Sequence, residues 1–238
     1  MKKILLTVCL TVISLVTFAQ SPRSVSLYGW KSVNVSYSES TLDYPKGLSD
    51  LDWNIYSIEY LKADNCVTGM PIFLEKGIGV ELYRYYDKAV SNNEGTYNGT
   101  VTTTYEEGLN MVSLYVPVNL VCKIAFADNI EVMPYVGVKG QLNLWGEVYG
   151  KVQTVYGNGK TPEIAEDSYS IFDKEDGGMS IERLGLGWQI GAKVNVFDKF
   201  SVGVNYAKSF SDKIVFIGDS EDGIGELYST TFTIGLLF

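Results

Sequence analysis

The chain has no histidine among its 238 residues, and that absence removes more chemistry than any motif adds. Ser-His-Asp and Cys-His nucleophiles need an imidazole base, and imidazole is the commonest metal ligand. Cysteine is scarce, three in all. Cys9 lies in an N-terminal apolar run, which leaves Cys66 and Cys122, too few for a disulfide-built scaffold. Basic residues are outnumbered, 19 against 28 acidic, which argues against nucleic acid as a partner. Helical periodicity is nearly absent beyond the first twenty residues, and so is any apolar run able to span a membrane as a helix. The nearest, MVSLYVPVNLVCKIAFA, is interrupted by Pro117, Asn119 and Lys123. Nothing in the sequence assigns a catalytic group, a cofactor or a metal site.

What is present begins with MKKILLTVCLTVISLVTFAQ. Lys2 and Lys3 precede an apolar core from Ile4 to Val16, and Thr17 and Ala19 are spaced for cleavage. This is the pattern of a secretory signal peptide over residues 1–19. The apolar core is short for a spanning helix, which needs about 20 residues. Residues 20–238 are then one domain exported from the cytoplasm.

That domain alternates with period two. In RLGLGWQIGAKVNVF, Leu184, Leu186, Trp188, Ile190, Ala192, Val194 and Val196 share a face opposite glycines, Gln189, Lys193 and Asn195. Eight such strands are expected, at Val25–Ser38, Trp53–Lys62, Ile72–Asp87, Tyr105–Phe126, Ile130–Val148, Glu182–Phe197, Phe200–Ile214 and Glu226–Phe238. They are long for a globular sheet and suit a tilted crossing of a bilayer. Their polar faces carry small residues, tyrosine and single charges, as the inside of a narrow barrel does. The connections alternate too. Those near Ala63–Met70, Ala127–Asn129 and Asp198–Lys199 are short; those at Glu39–Asp52, Lys88–Thr104, Tyr149–Ile181 and Val215–Gly225 are long and polar. Sorting by parity reads as short periplasmic turns and long extracellular loops of an all-β, antiparallel, up-and-down transmembrane barrel. An extra hairpin within Tyr149–Ile181 would raise the count from about eight strands to ten.

Several side chains stand out. Glu59, Glu75, Glu81, Lys123, Glu131, Lys139 and Lys193 fall on the inward phase and read as a charge network in the lumen. Glu75 and Glu81 lie six residues apart on one strand, about 20 Å, too far for a glycosidase pair. Tyr115, Tyr135 and Trp145 share the inward phase and should plug the axis. Lys76 breaks the pattern on the lipid phase, where charge is costly. The acidic runs at Glu163–Asp167, Asp173–Asp176 and Asp219–Asp222 lack calcium-loop spacing and read as solvated loop surface. Tyr83, Tyr85, Tyr86, Tyr97, Tyr149 and Tyr156 fit an interfacial girdle. The short turns lie near both Cys66 and Cys122 and permit a disulfide, while the lipid phase of Cys122 opposes one.

The last strand, STTFTIGLLF, places Tyr228, Phe232, Ile234, Leu236 and Phe238 on one phase. Ending an alternating strand on an aromatic residue resembles the C-terminal recognition signal of bacterial outer-membrane barrels. PIFLEKGIGVELYRYY, SLYVPVNLVCKIAF, MPYVGVKGQLNLWG and LGWQIGAKVNVFDKFSVGVNYAKSF are similar to segments of the outer-membrane β-barrel domain often labelled porin family. The resemblance covers nearly the whole chain after the leader. It implies a Gram-negative outer-membrane location, contact with membrane lipid and lipopolysaccharide, and insertion by the outer-membrane assembly machinery. It carries no catalytic residues and names no extracellular ligand. Three roles stay open: a structural or surface-interaction protein acting through acidic loops; a narrow channel or subunit of an envelope complex; and an envelope-lipid enzyme, disfavoured by the lack of histidine.

Overall fold

The computed structural model describes residues 27–43, 51–95, 99–172, 179–209, 214–216 and 223–238. The leader, Tyr97 and the acidic runs at 173–176 and 219–222 lie outside them. The strands are β1 (Trp30–Asp43), β2 (Leu51–Asn65), β3 (Ile72–Gly95), β4 (Gly99–Cys122), β5 (Ile124–Ala127), β6 (Ile130–Tyr156), β7 (Glu163–Ser170), β8 (Met179–Ser180), β9 (Leu184–Val196), β10 (Phe200–Ser209), β11 (Ile214–Phe216) and β12 (Gly223–Leu237). Eight of them, β1, β2, β3, β4, β6, β9, β10 and β12, pair antiparallel in chain order, and β12 returns to β1. The ring is closed. Closure continues to the last residue, whose amide donates to the Lys31 carbonyl at 3.0 Å.

Alternation decides which way each side chain points. Val35, Ile58, Val80, Val116, Val138, Val194, Val202 and Ile234, one from each ring strand, are all exposed on the outside. In water this belt would be a far larger apolar patch than soluble proteins display. Against hydrocarbon it costs nothing, and the closed ring leaves no unpaired backbone edge within the bilayer. No helix among the described residues is long and apolar enough to cross a membrane; the crossing is made by strands.

The short turns have fitting backbone chemistry. Phe197 and Asp198 both take positive φ, 56° and 54°, as the central residues of a primed turn require, and the Lys199 amide donates to the Val196 carbonyl at 3.2 Å to close it within the three-residue connection of β9 to β10. A bulky residue rarely accepts this conformation. Here the turn lets the Phe197 ring stand outward at the barrel rim, where it is exposed.

The other end departs from the expected loops. The segment Lys88–Thr104 is mostly strand: β3 and β4 stay paired out to Gly95 and Gly99. The outer half of β6 runs to Tyr156 and pairs with β7 through Glu147–Thr154. The Glu163–Asp167 run therefore lies in a strand, and the hairpin within Tyr149–Ile181 extends the sheet without adding a ninth strand to the ring. β2 stops pairing with β3 at Arg84, and β9 stops pairing with β6 at Leu142. A four-stranded blade, β3–β4–β6–β7, thus rises beyond the rim on one side of the barrel. The free stretch of β3 spans about 35 Å at a strand's rise per residue. Polar, Thr- and Asn-rich strands with no buried face look like loops in sequence, which explains the discrepancy.

One irregularity governs the blade. The register of β4 with β6 shifts between Val112 and Ser113, where Val112 faces Trp145 and Ser113 faces Asn143. Leu144 is the extra residue of a bulge, and inward and outward phases exchange beyond it. Trp145, expected to plug the axis, consequently faces outward and is 49% exposed, whereas Gly146 is buried inside.

Candidate functional site

The barrel interior has three levels. At the blade end, Trp53, Ile55, Tyr83, Leu109 and Met111 pack with Ile171 and Ile181. The last two come from the segment between β7 and β9, and Ile171 donates its amide to the Gly146 carbonyl at 3.1 Å and accepts from Ile181 at 2.9 Å. Strain-free entry of Ile171 depends on Gly146, because a Cβ there would collide with the isoleucine side chain. At the turn end, Ala63, Phe73, Val121, Met133 and Tyr135 form a second apolar cluster, capped by Trp30. Tyr83 belongs to the first cluster rather than to an outer girdle. These two corks were hidden in the sequence, because an apolar residue on the inward phase looks the same as one facing lipid.

Between the corks lies the polar level, with Glu59, Glu75, Glu81, Lys139 and Lys193, while Lys123 and Glu131 sit on the turn side of the second cork, against Trp30 and Phe73. Lys193 pairs with Glu75 at 2.7 Å, Lys139 with Glu81 at 2.8 Å, and Lys123 with Glu131 at 2.9 Å. Glu75 is fully buried and also accepts from Asn119 at 3.0 Å. Glu81 accepts from the Tyr83 hydroxyl at 2.8 Å. Glu59 has hydrogen bonds from Asn34 at 2.9 Å and Tyr115 at 3.0 Å, with no lysine against it among the described residues. Each lysine also faces a ring: Lys193 lies 5.2 Å from the Tyr135 centroid, Lys139 5.0 Å from Tyr115, and Lys123 5.5 Å from Trp30. Glu59 and Glu81 face one cavity together with Tyr115, Lys139 and Lys193, and no group of three metal-ligating side chains occurs among the described residues. What remains open at this level is a polar cavity of about 40 Å³, near the share of one or two waters.

Tight cross-strand pairs hold this interior. Gly79 lies opposite Tyr115, and the tyrosine ring occupies the place where a Cβ on residue 79 would be. We expect Gly79→Val to displace the ring, break its bond to Glu59 and cost about 1–3 kcal/mol, the usual range for overpacking. Gly150→Ala, where open space surrounds the new methyl, should be near neutral. Urea unfolding of both variants in lipid vesicles checks the contrast.

The blade has its own electrostatics. One register row aligns Lys88, Glu106, Lys151 and Glu166, with ion pairs at 2.7 Å and 2.6 Å. The Lys88 hydrogen bond holds the Glu106 carboxyl below its ordinary range, and Lys160, helped by Tyr156, does the same for Glu163. A lowered carboxyl favours the folded blade above the unfolded pKa, and that contribution is lost as pH falls through the folded value. The neighbouring row, Asp87, Glu107, Gly150 and Asp167, carries three exposed carboxylates and no cation.

On the outer wall, Phe232, Ile234, Leu236 and Phe238 are exposed. Tyr228, half-buried on the same strand face, packs against Tyr206 at 6.3 Å and lies under Lys208. Lys76, which lacked any partner in sequence, lies 4.0 Å from Asp64 near the turn end of β2. Cys66 and Cys122 are separate free thiols.

No protein-family model matches the chain, and no curated protein matches it in sequence. Among solved structures it is similar to the attachment invasion locus protein Ail of Yersinia pestis, at 10% identity over 89% of this chain and 99% of that one, with a TM-score of 0.34. Neisserial surface protein A shows 10% identity over 87% and 96%, TM-score 0.40. A major outer-membrane protein of Thermus thermophilus shows 13% over 87% and 99%, TM-score 0.31. The closed eight-strand ring, its apolar outer belt and its charged interior are those of an outer-membrane β-barrel.

Proposed function

We propose that the barrel is a sealed membrane anchor and that the β3–β4–β6–β7 blade is the working part, a surface for binding a macromolecular partner outside the cell. The observation that carries this reading is the selective growth of the sheet: four strands continue past the rim while their neighbours stop at it. The interior supports it from the other side, because six of its seven charges form ion pairs and Glu59 is held by the neutral donors Asn34 and Tyr115, which suits neither an enzyme nor a transport path. The row of Asp87, Glu107 and Asp167 suits a partner with a basic surface, and such an attraction weakens with salt. On the same reading, Tyr228, Phe232, Ile234, Leu236 and Phe238 on the lipid side of the closing strand serve the assembly machinery during insertion.

The test is complementation of a strain lacking the protein. A variant with residues 87–106 replaced by an Asn-Gly turn should insert and fold, yet restore the surface phenotype no better than the empty vector. The triple substitution Asp87→Asn, Glu107→Gln and Asp167→Asn should weaken it and flatten its salt dependence. Full complementation by the trimmed barrel would sink the reading.

A further inference from the structure

Three lysines stand side by side on the outer wall at the turn end of the barrel. Lys31 of β1 is the register partner of Lys62 of β2, and Lys62 is the register partner of Lys76 of β3. Neighbours directly across an antiparallel pair have Cβ atoms about 5 Å apart, and like charges so placed repel. All three side chains are exposed. Among the described residues only Asp64 answers them, at 2.9 Å from Lys62 and 4.0 Å from Lys76. A chain with 28 acidic and 19 basic residues has therefore concentrated positive charge on one patch of its wall. The turn-end outer positions of β4, β6, β9, β10 and β12 are instead uncharged, among them Leu120, Val132, Val194, Val202 and Leu236.

The level of the row in the bilayer follows from its neighbours. The next outward row is Val33, Tyr60 and Ile78, all exposed. Tyr60 lies 6.4 Å from the Phe238 ring, and such exposed aromatics mark the membrane interface. Lysines one row beyond an aromatic pair can lay their stems on apolar surface and carry their ammonium groups to the depth of lipid phosphates.

We propose that Lys31, Lys62 and Lys76 form a binding site for the headgroup of a net-anionic glycerophospholipid in the leaflet at the short-turn end. The occupant supplies the negative charge that Asp64 alone does not, and its acyl chains lie along the Val33–Tyr60–Ile78 row. A zwitterionic lipid brings no net charge to balance the row, so it binds less well. Placement in the periplasmic leaflet rests on the reading that short turns are periplasmic, independent of what the blade binds.

Native mass spectrometry of the refolded barrel in neutral detergent tests this, with phosphatidylglycerol and phosphatidylcholine as probes. The wild-type protein should retain phosphatidylglycerol preferentially. The triple variant Lys31→Gln, Lys62→Gln and Lys76→Gln should bind it at least about tenfold more weakly, given what each lysine contributes near an anionic surface. A control triple on the blade, Lys88→Gln, Lys151→Gln and Lys160→Gln, should bind as the wild type does. Gel mobility of unheated samples establishes that each variant is folded. Equal retention of the two lipids, or retention unchanged in the first triple, overturns the proposal. So does displacement of phosphatidylglycerol from the row by lipopolysaccharide at lower concentration, since the row would then prefer that lipid's phosphates to a glycerophospholipid headgroup.

Discussion

Lys193→Met is expected to destabilise the barrel by about 3–5 kcal/mol, the usual consequence of leaving one partner of a buried ion pair alone. Glu75 is fully enclosed, and without the ammonium at 2.7 Å only the Asn119 amide remains against its carboxylate. Water cannot readily reach it past the apolar clusters at either end. Against the 5–15 kcal/mol of net stability typical of a folded domain, the loss is large. The double variant Glu75→Gln with Lys193→Met should recover most of it, because the amide keeps the Asn119 contact and no charge is stranded. Glu59→Gln should cost much less, since its partners are neutral and either can adjust. Urea titrations of the wild type and the three variants in vesicles give these differences. If Lys193→Met costs less than about 1 kcal/mol, as an exposed pair would, the interior must be hydrated enough to screen the charge, and the sealed picture fails.

The second large effect is an absence of current. An eight-strand barrel encloses room for its own side chains and little else. Here the axis is blocked twice by apolar packing and once by paired charges, and the intervening cavity holds about 40 Å³. Wild-type protein in planar bilayers should give at most rare, small conductance steps. Tyr83→Ala with Phe73→Ala, one from each cork, should raise their frequency, at a cost in stability typical of large-to-small core changes, about 3–5 kcal/mol for each. Stable, large and ion-selective conductance from the wild type would replace the anchor reading with a channel.

Much of the ring was legible in the sequence because a strand's two faces alternate without exception until something interrupts them. The eight strands and the inward phase of Glu59, Glu75, Glu81, Lys123, Glu131, Lys139 and Lys193 follow from counting by twos. Which lysine meets which carboxylate does not. Lys193 and Glu75 are separated by 118 residues, and their meeting depends on how far the strands are staggered when the ring closes, a property of the whole sheet. Trp145 pointed the wrong way because counting by twos does not anticipate an extra residue at Leu144. The blade was mistaken for loop because solvent on both faces removes the apolar stripe that reveals a strand. Lys76 looked unaccountable because its counterion, Asp64, belongs to the preceding strand across a turn.

The extra residue at Leu144 also makes β6 two strands in one chain, with a phase boundary between them. Below it, odd-numbered side chains answer to the lumen and even-numbered ones to lipid. Above it the assignment is reversed, and the demands are those of water and a binding partner. Sequence drift on one side of such a boundary is therefore insulated from the other, so a new blade surface can be tried without disturbing the anchor. Removing Leu144 alone would close the bulge and leave Val112 opposite Trp145 and Ser113 opposite Asn143, with Gly146 still inward and the rows of the blade intact. A single residue removed elsewhere in the outer half of β6 would shift every row beyond it by one. Removing two would leave the faces as they are. Length variation is therefore tolerated singly at the bulge and in pairs along the rest of the blade.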